Sequence, residues 1–548
     1  MNFSFLKRQD GYVLITVLIM FTIFSILGLG LMSYTIGSYQ FTKANTDFVE
    51  TKSDAEMKAQ EAHARILKGV EEINTNLSNG TLDLDSVIDR IDGVVNEART
   101  QLGQAGVLKE QVLKDGSNGI FLQRLDIEVD VEGSNKRLVR TFTISTIADV
   151  FRYSAVTPGD LTLNGASYLQ GDVQVGNDLY IDDHGYFTAG YGKHWVQSFY
   201  PGIEGDLRVV GDFNKKSQDR RIHKFNPTSE NLNRYFNIAP RAISDTTTIE
   251  PLQVESLINE KRYNDIRHGN GFYEVSGNKS MDGTYNHDLA IRDYYDCGYY
   301  RKRRCWDPAS LEIKNSQDAH VKGDLLVEGD LEVYGSLKVD GSIYIEGEAE
   351  LEGDLILNNN QFIYIDGETQ IDNLNFNGSM YIDDYLYING DVNTNGTIYT
   401  RSGGRVEGME NDSGTIVVLS EGPLTIANNN LYTDPDSPAL QEMNAFFYTN
   451  SDLEMFGVGS NLVINGGIYG ENIVMNAVKG ETRKGGYHYN SHFRVYDLWF
   501  ERGQDDLSIH QSRFQINYKE ELILNPPEGI PTIEKITVKE IDSHYYEN

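Results

Sequence analysis

No charged residue and no proline interrupts the stretch from Tyr12 to Gly37, YVLITVLIMFTIFSILGLGLMSYTIG, and this run constrains the chain more than any other feature. The hydrocarbon core of a bilayer is about 30 Å thick, which a helix crosses in roughly 20 apolar residues. The run is long enough, and no other segment is both as long and as apolar. It is expected to cross a membrane once and to leave the rest of the chain on one side. Lys7 and Arg8 precede it, so the positive-inside bias puts the N-terminus in the cytoplasm and the bulk outside. Composition suits an exposed, soluble body. The 48 Lys+Arg against 81 Asp+Glu give a formal charge of -33, with a mean hydropathy of -0.43. That charge disfavours nucleic acid and anionic lipid as broad partners of the body.

A secretory signal peptide has a shorter apolar core, of about 7 to 15 residues, followed by a small-x-small cleavage site, and this chain shows neither. The order of basic leader, Gly11, aromatic Tyr12 and unbroken apolar helix resembles the N-terminus of type IV prepilins. The stretch AEMKAQEAHARI at 55–66 is similar to the Ala/Glu-rich helix that follows the anchor in one branch of minor pilins. The resemblance implies cleavage between Gly11 and Tyr12 by a prepilin peptidase, methylation of the new N-terminus, and other pilin subunits as partners. Most major pilins carry glutamate at the fifth mature position, where this chain has Thr16. That departure implies a minor pilin, held in the cell membrane by a single pass with its bulk at the cell surface. The plainer alternative is an ordinary single-pass anchor.

The expected organisation follows in chain order. A leader (1–11) and the transmembrane helix (12–37) lead into an extended helix (38–77), where Phe41, Ala44, Phe48, Ala55, Ala59, Ala62, Ile66, Val70, Ile73 and Leu77 recur at helical spacing. One helix over 12–77 would be about 100 Å long at 1.5 Å per residue. Residues 78–152 read as a small α/β unit. Its helix starts near Asp85, and its hairpin, Ile120–Val131 with Arg137–Phe151, turns at Gly133-Ser134-Asn135.

The rest is repetitive. Gly323, Gly329, Gly335, Gly341, Gly347 and Gly353 fall six residues apart, with aliphatic pairs such as Leu325/Val327, Leu331/Val333 and Ile343/Ile345 between them. Each hexad is a short strand and a corner, with two side chains inward at i and i+2 and glycine where a β-carbon would collide. This period predicts a mainly β chain with a hexapeptide-type parallel β-helix. The first coils span 153–213, around Gly159, Gly165, Gly171, Gly205 and Gly211. The hexad coils span 319–400, wider coils 401–480 and a strand/loop cap 481–548. Here the chain resembles bactofilins, polymer-forming scaffold proteins of bacteria, which implies the fold and, as one alternative, a polymer-forming scaffold role. Asn428, Asn429 and Asn430 read as a structural ladder at turns.

Residues 214–318 break the repeat and read as an insertion on one face, which in solenoids is often the binding face. It contains CGYYRKRRC, where Cys297 and Cys305 are expected to close a small disulfide loop. Zinc is not expected, because two further ligands at the usual spacing are missing. On that loop Tyr299, Tyr300, Arg301, Lys302, Arg303 and Arg304 would suit a polyanion or a surface glycan, with Lys215, Lys216, Arg220, Arg221 and Lys224 in the same segment. The simpler reading is that these cations neutralise the protein's own acidic surface.

No GxSxG, HExxH or P-loop is present, and no cofactor or metal is expected. The doublets Asp182-Asp183 and Asp383-Asp384 could serve a glycosidase or lyase if their carboxylates converged. Both sit in the phrase YIDD, and Tyr344-Ile345-Glu346-Gly347 and Tyr364-Ile365-Asp366-Gly367 repeat it, which favours a corner. Calcium bridging of acidic corners is a further alternative, without an EF-hand or nonapeptide motif to support it. The function expected is a non-catalytic, membrane-anchored minor pilin with a β-helix head for adhesion or filament initiation. The alternative is a membrane-tethered carbohydrate-active β-helix enzyme.

Overall fold

The computed structural model describes residues 10–79, 84–115, 120–189, 192–216, 221–244, 249–262, 272–296, 304–358, 360–409, 411, 414–426, 440–459, 461–480, 483–490, 495–501 and 507–547. The chain is mainly β, with 49% strand and 25% helix. It divides into two units, the first reaching Thr146 and resuming at Ile533, the second running from Ile147 to Thr532.

The first unit is built on α1 (Asp10–Ser78), a single helix through the apolar run and beyond it. Its outer half carries Ala55, Ala59, Ala62, Ile66, Val70 and Ile73 on one buried stripe. The small residues let α2 (Leu84–Leu102) come close: a β-carbon on Gly69 would lie 2.5 Å from the Val94 methyls. The stripe also covers a four-stranded sheet in the order β1 (Gly106–Asp115), β2 (Phe121–Asp130), β3 (Lys136–Ile147), β4 (Thr532–Glu547). β4 lies in the region read as a cap of the repeats, but it is the fourth strand of this sheet. Asn74 of α1 ties it down by donating Nδ2 to Ile536 O at 2.8 Å and accepting Ile536 N–H at 2.7 Å. His63 stacks on Phe142 at 4.2 Å, beside an Arg140–Glu540 ion pair.

The second unit is a parallel sheet that winds on itself. Leu325 faces Ile343 and Leu331 faces Ala349, each pair eighteen residues apart, so three short strands complete one turn and every third strand pairs. The inward aliphatics form one continuous core in which Leu325, Val333, Leu337 and Ile343 are fully buried. The corners explain the glycines. Asp324 Oδ1 accepts Ser342 N–H at 2.8 Å, Asp288 Oδ1 accepts Asp324 N–H at 3.0 Å, and Asp178 Oδ1 accepts Asp212 N–H at 2.7 Å. Each corner carboxylate thus caps the backbone of the next turn. The glycine beside that N–H leaves room for it: a β-carbon on Gly341 would meet Asp324 Oδ1 at 2.3 Å, and one on Gly323 would meet Asp288 Oδ1 at 2.0 Å. These corner aspartates are therefore structural.

The turns are not stacked in chain order. The early turn at Ala155–Leu163 sits on the late one at Ile468–Met475, with Ile468 opposite Ala155 and Ile473 opposite Leu161. The third side of this seam is Phe514–Asn517, wedged between Leu462–Asn465 and Tyr168–Gln170. The early turns then continue the stack outward through Val173 and Leu207 to Ala242. Chain that leaves this end must travel back to the opposite end, where winding starts at Tyr273–Val275.

This corrects the insertion read over 214–318. Residues 273–291 and 311–321 already belong to turns, pairing Tyr273 with Leu289, Leu311 with Leu331 and Asp318 with Ser336. What precedes them is a return strap lying on an outward column of Leu326, Tyr344, Tyr364, Tyr381, Tyr399, Leu419, Tyr448 and Tyr469. Leu252 donates N–H to Tyr448 Oη at 2.6 Å. α3 (Val254–Lys261) buries Val254 and Ile258, takes Arg401 onto Glu255 and Asn259, and sets Lys261 Nζ 5.3 Å from the Phe362 ring. Phe272 closes on Ala290 and Leu326.

Candidate functional site

The clearest functional surface is the first half of α1. From Leu14 to Ile36 the large apolar side chains are exposed, with Phe21 at 74% and Leu29 at 70%. Two threonine hydroxyls in this half turn back on the helix: Thr22 donates to Leu18 O at 2.7 Å and Thr35 to Leu31 O at 2.8 Å. Backbone groups are bonded within the helix and these side-chain donors are satisfied, so the outside is apolar over the length a bilayer requires. This one helix is long and apolar enough to span a membrane. Gly11 and Tyr12 lie in its first turn, and Thr16 one turn further on.

The acidic doublets do not meet. Asp182 ends a strand on one side of the winding sheet, opposite Asn164, whereas Asp383 follows the strand on another side whose Ile382 faces Thr400. The turns at Ile398, Val418, Phe447 and Ile468 lie between them in the stack. Each has its own partners. Asp383 is ion-paired to Arg401, and a single Tyr364 hydroxyl proton serves Asp366 Oδ1 at 2.9 Å and Asp383 Oδ2 at 3.1 Å. His184 Nδ1 lies 2.8 Å from Asp183 Oδ1 and 3.3 Å from Asp182 Oδ1. Burial first, then the neighbouring Asp183, pushes the Asp182 carboxyl above its ordinary value, and His184 opposes this. Asp182, Asp183 and His184 bring their ligand atoms within 4.8 Å of one another, close enough to hold a cation. They equally satisfy each other as a corner.

Cys297, Tyr299, Tyr300, Arg301, Lys302 and Arg303 lie outside the described residues. Arg304 and Cys305 are described only as backbone of the strand Arg304–Asp307, antiparallel to Asp293–Asp296. Asn428, Asn429 and Asn430 also lie outside. Of the other basic residues singled out, Lys215 Nζ sits 5.3 Å from the rings of both Tyr200 and Tyr235, Lys216 5.2 Å from Tyr180, and Lys224 pairs with Asp212. These cations are engaged within their own unit.

A groove of about 510 Å³, which the aliphatic hexads do not announce, runs across three successive turns and is lined by Asp354, Ile356, Asn375, Asn377, Asn393 and Asn395 among others. Its signal in the sequence is Leu374-Asn375-Phe376-Asn377-Gly378 repeated as Val392-Asn393-Thr394-Asn395-Gly396, with Asn375 opposite Asn393 and Asn377 opposite Asn395.

No protein-family model matches this sequence, and no curated protein matches it. Among solved structures, the competence-associated pilin ComZ from Thermus thermophilus aligns with it at 12% identity, over 81% of this chain and 84% of that one, with a TM-score of 0.16. A TM-score that low does not establish a common fold.

Proposed function

We propose that this chain is a non-catalytic, pilin-like subunit, anchored in the cell membrane by α1 and carrying a parallel β-helix head on the outer side. The observation that carries the reading is α1 itself. It is one helix whose exposed half is apolar throughout, while its other half is built into a small sheet domain. Such a helix needs a second environment for its exposed half, first lipid and then, in a filament, the helices of neighbouring subunits. The leader ending at Gly11, the aromatic Tyr12 and the resemblance to minor pilins support the filament reading over a plain anchor. The winding parallel sheet, with eighteen residues and three strands per turn, supports the β-helix reading of the head. Thr16 supports a place at a filament end: it lacks the carboxylate that would pair with a neighbour's amino terminus in an apolar core, where an unpaired charge is costly.

N-terminal sequencing and intact-mass measurement of the membrane-extracted protein test the reading. The expected product starts at N-methyl-Tyr12, and Gly11→Val leaves the leader attached. A wild-type protein with its leader intact refutes the pilin assignment.

A further inference from the structure

We propose that the groove across Asp354–Leu357, Asn375–Asn377 and Asn393–Asn395 binds a neutral, hydroxyl-rich chain, that is, an uncharged oligosaccharide. The groove exists because the winding changes there. Val392–Thr400 pairs along its whole length with Leu374–Ile382 on one edge, but on the other edge only Gly396–Thr400 pairs, with Ile416–Ser420. Among the described residues no ladder strand continues the column beyond Val392–Asn395. The next turn passes at Gly414, where a β-carbon would lie 2.1 Å from Thr394 O, so position 414 itself adds no side chain to the space.

The lining chemistry selects the ligand. Among the described residues it contains no lysine, arginine or histidine. The one carboxylate among the described lining residues, Asp354, already accepts Asn375 Nδ2 at 2.7 Å. An anion would find no cation there on a chain of -33, and a cation would find denser acidic sites elsewhere. The amides retain capacity for a neutral polar ligand. Asn377 accepts Asn395 N–H at 3.2 Å through Oδ1, which leaves its Nδ2 as a donor, and Asn375 keeps its Oδ1 as an acceptor. Thr394, 3% exposed and opposite the buried Phe376, turns its hydroxyl inward, so the polar lining is that of the outward amides. Ile356, 46% exposed, adds an apolar patch against which the C–H face of a sugar ring can lie. Successive turns repeat these amides at about 4.8 Å, so paired donors and acceptors recur along the groove, as a polymer of repeating sugars requires. Location on the cell surface rests on the proposed function; the binding itself does not.

The test uses the full chain in detergent and a panel of neutral hexasaccharides of glucose, mannose and N-acetylglucosamine, with hexa-galacturonate as an anionic comparator, followed by titration calorimetry. Retention of at least one neutral hexasaccharide is expected. The exposed substitutions Asn377→Ala and Ile356→Asp should each weaken it roughly five- to tenfold, the range of one lost hydrogen bond or apolar contact, with an unchanged circular dichroism spectrum. Retention of galacturonate alone, retention of nothing, or neutral binding indifferent to both substitutions overturns the proposal. Each of those results leaves the Tyr12 terminus, and with it the proposed function, untouched.

Discussion

The pairing of a corner carboxylate with the glycine of the next turn can be tested at Gly341. A β-carbon placed there meets Asp324 Oδ1 at 2.3 Å, Asp324 N at 2.7 Å and Gly323 C at 2.7 Å. A flexible side chain could swing away from the first contact, but the other two are backbone of the turn below, itself hydrogen-bonded into the ladder. Gly341→Ala must therefore push two turns apart locally. Overpacking of this kind costs about 1–3 kcal/mol. Asp324→Ala probes the other half: it removes the acceptor of Ser342 N–H at 2.8 Å at a half-buried corner and should cost about 1–3 kcal/mol. In the double variant the backbone contacts remain, so most of the Gly341→Ala penalty should persist. Guanidinium unfolding followed by the β-sheet signal of the second unit, compared by midpoint, measures all three. A Gly341→Ala protein as stable as wild type refutes the argument. So would complete rescue by Asp324→Ala, because it would leave the carboxylate as the sole obstacle.

Val333 is fully buried between Ile313 and Leu351, so Val333→Asp should cost several kcal/mol, while the outward Glu332→Lys should be nearly silent in the same unfolding assay. His63 is held neutral chiefly by burial and secondly by Arg140, with Glu540 opposing, so its folded pKa lies below 6.5. The stability this confers on the first unit is present above pH 6.5 and falls as the pH drops from there through the folded pKa. His63→Phe should flatten that dependence in hydrogen exchange of α1 and β3, and an unaltered acid profile would count against it. Ile516, fully buried between Ile464 and Leu169, closes the seam. Ile516→Asp should strip exchange protection from Ala155–Phe213 and Leu462–Met475 while sparing Leu325–Ile388. Uniform loss would show that the stack melts as one piece.

The pieces of this fold are far more legible in the sequence than their order. Tyr12–Gly37 can be read because a lipid-spanning helix admits so few residue types, and the hexads because an inward aliphatic at every second position leaves a fixed period. That period says only that each segment is a turn. Leu161 meets Ile473, and Ile516 meets Leu169, through the same generic aliphatic packing as any neighbouring pair, so nothing local encodes the seam. The turns around Lys279-Ser280 and Gly283-Thr284-Tyr285 escape the pattern because they carry few aliphatics. The strap reads as an outward display because its destination, a column of tyrosines drawn from many turns, is assembled only in three dimensions. β4 alternates legibly, with Ile536 and Val538 set among Lys535, Thr537 and Lys539, but the strand it pairs with, β3, lies hundreds of residues upstream. The groove repeats its asparagines in plain view at 375–377 and 393–395, yet the fact that, among the described residues, the ladder continues into the next turn only from Gly396 is a property of the winding and not of any residue there.

The seam also decides how the second unit carries tension. Both of its chain connections, at Ile147 ahead of Ala155 and at Thr532 behind Phe514–Asn517, join the stack in its interior and not at an end, and both outermost turns, at Tyr273–Val275 and Arg241–Ile243, are internal chain. A solenoid pulled by a terminal turn peels one turn at a time, breaking a few hydrogen bonds in each step. Here a pull that reaches Ala155 or Phe514–Asn517 loads the ladders on both sides of the seam together, in shear, while the end turns bear none of it. A subunit tethered through a membrane helix and tugged from outside would meet that load at its most interlocked point.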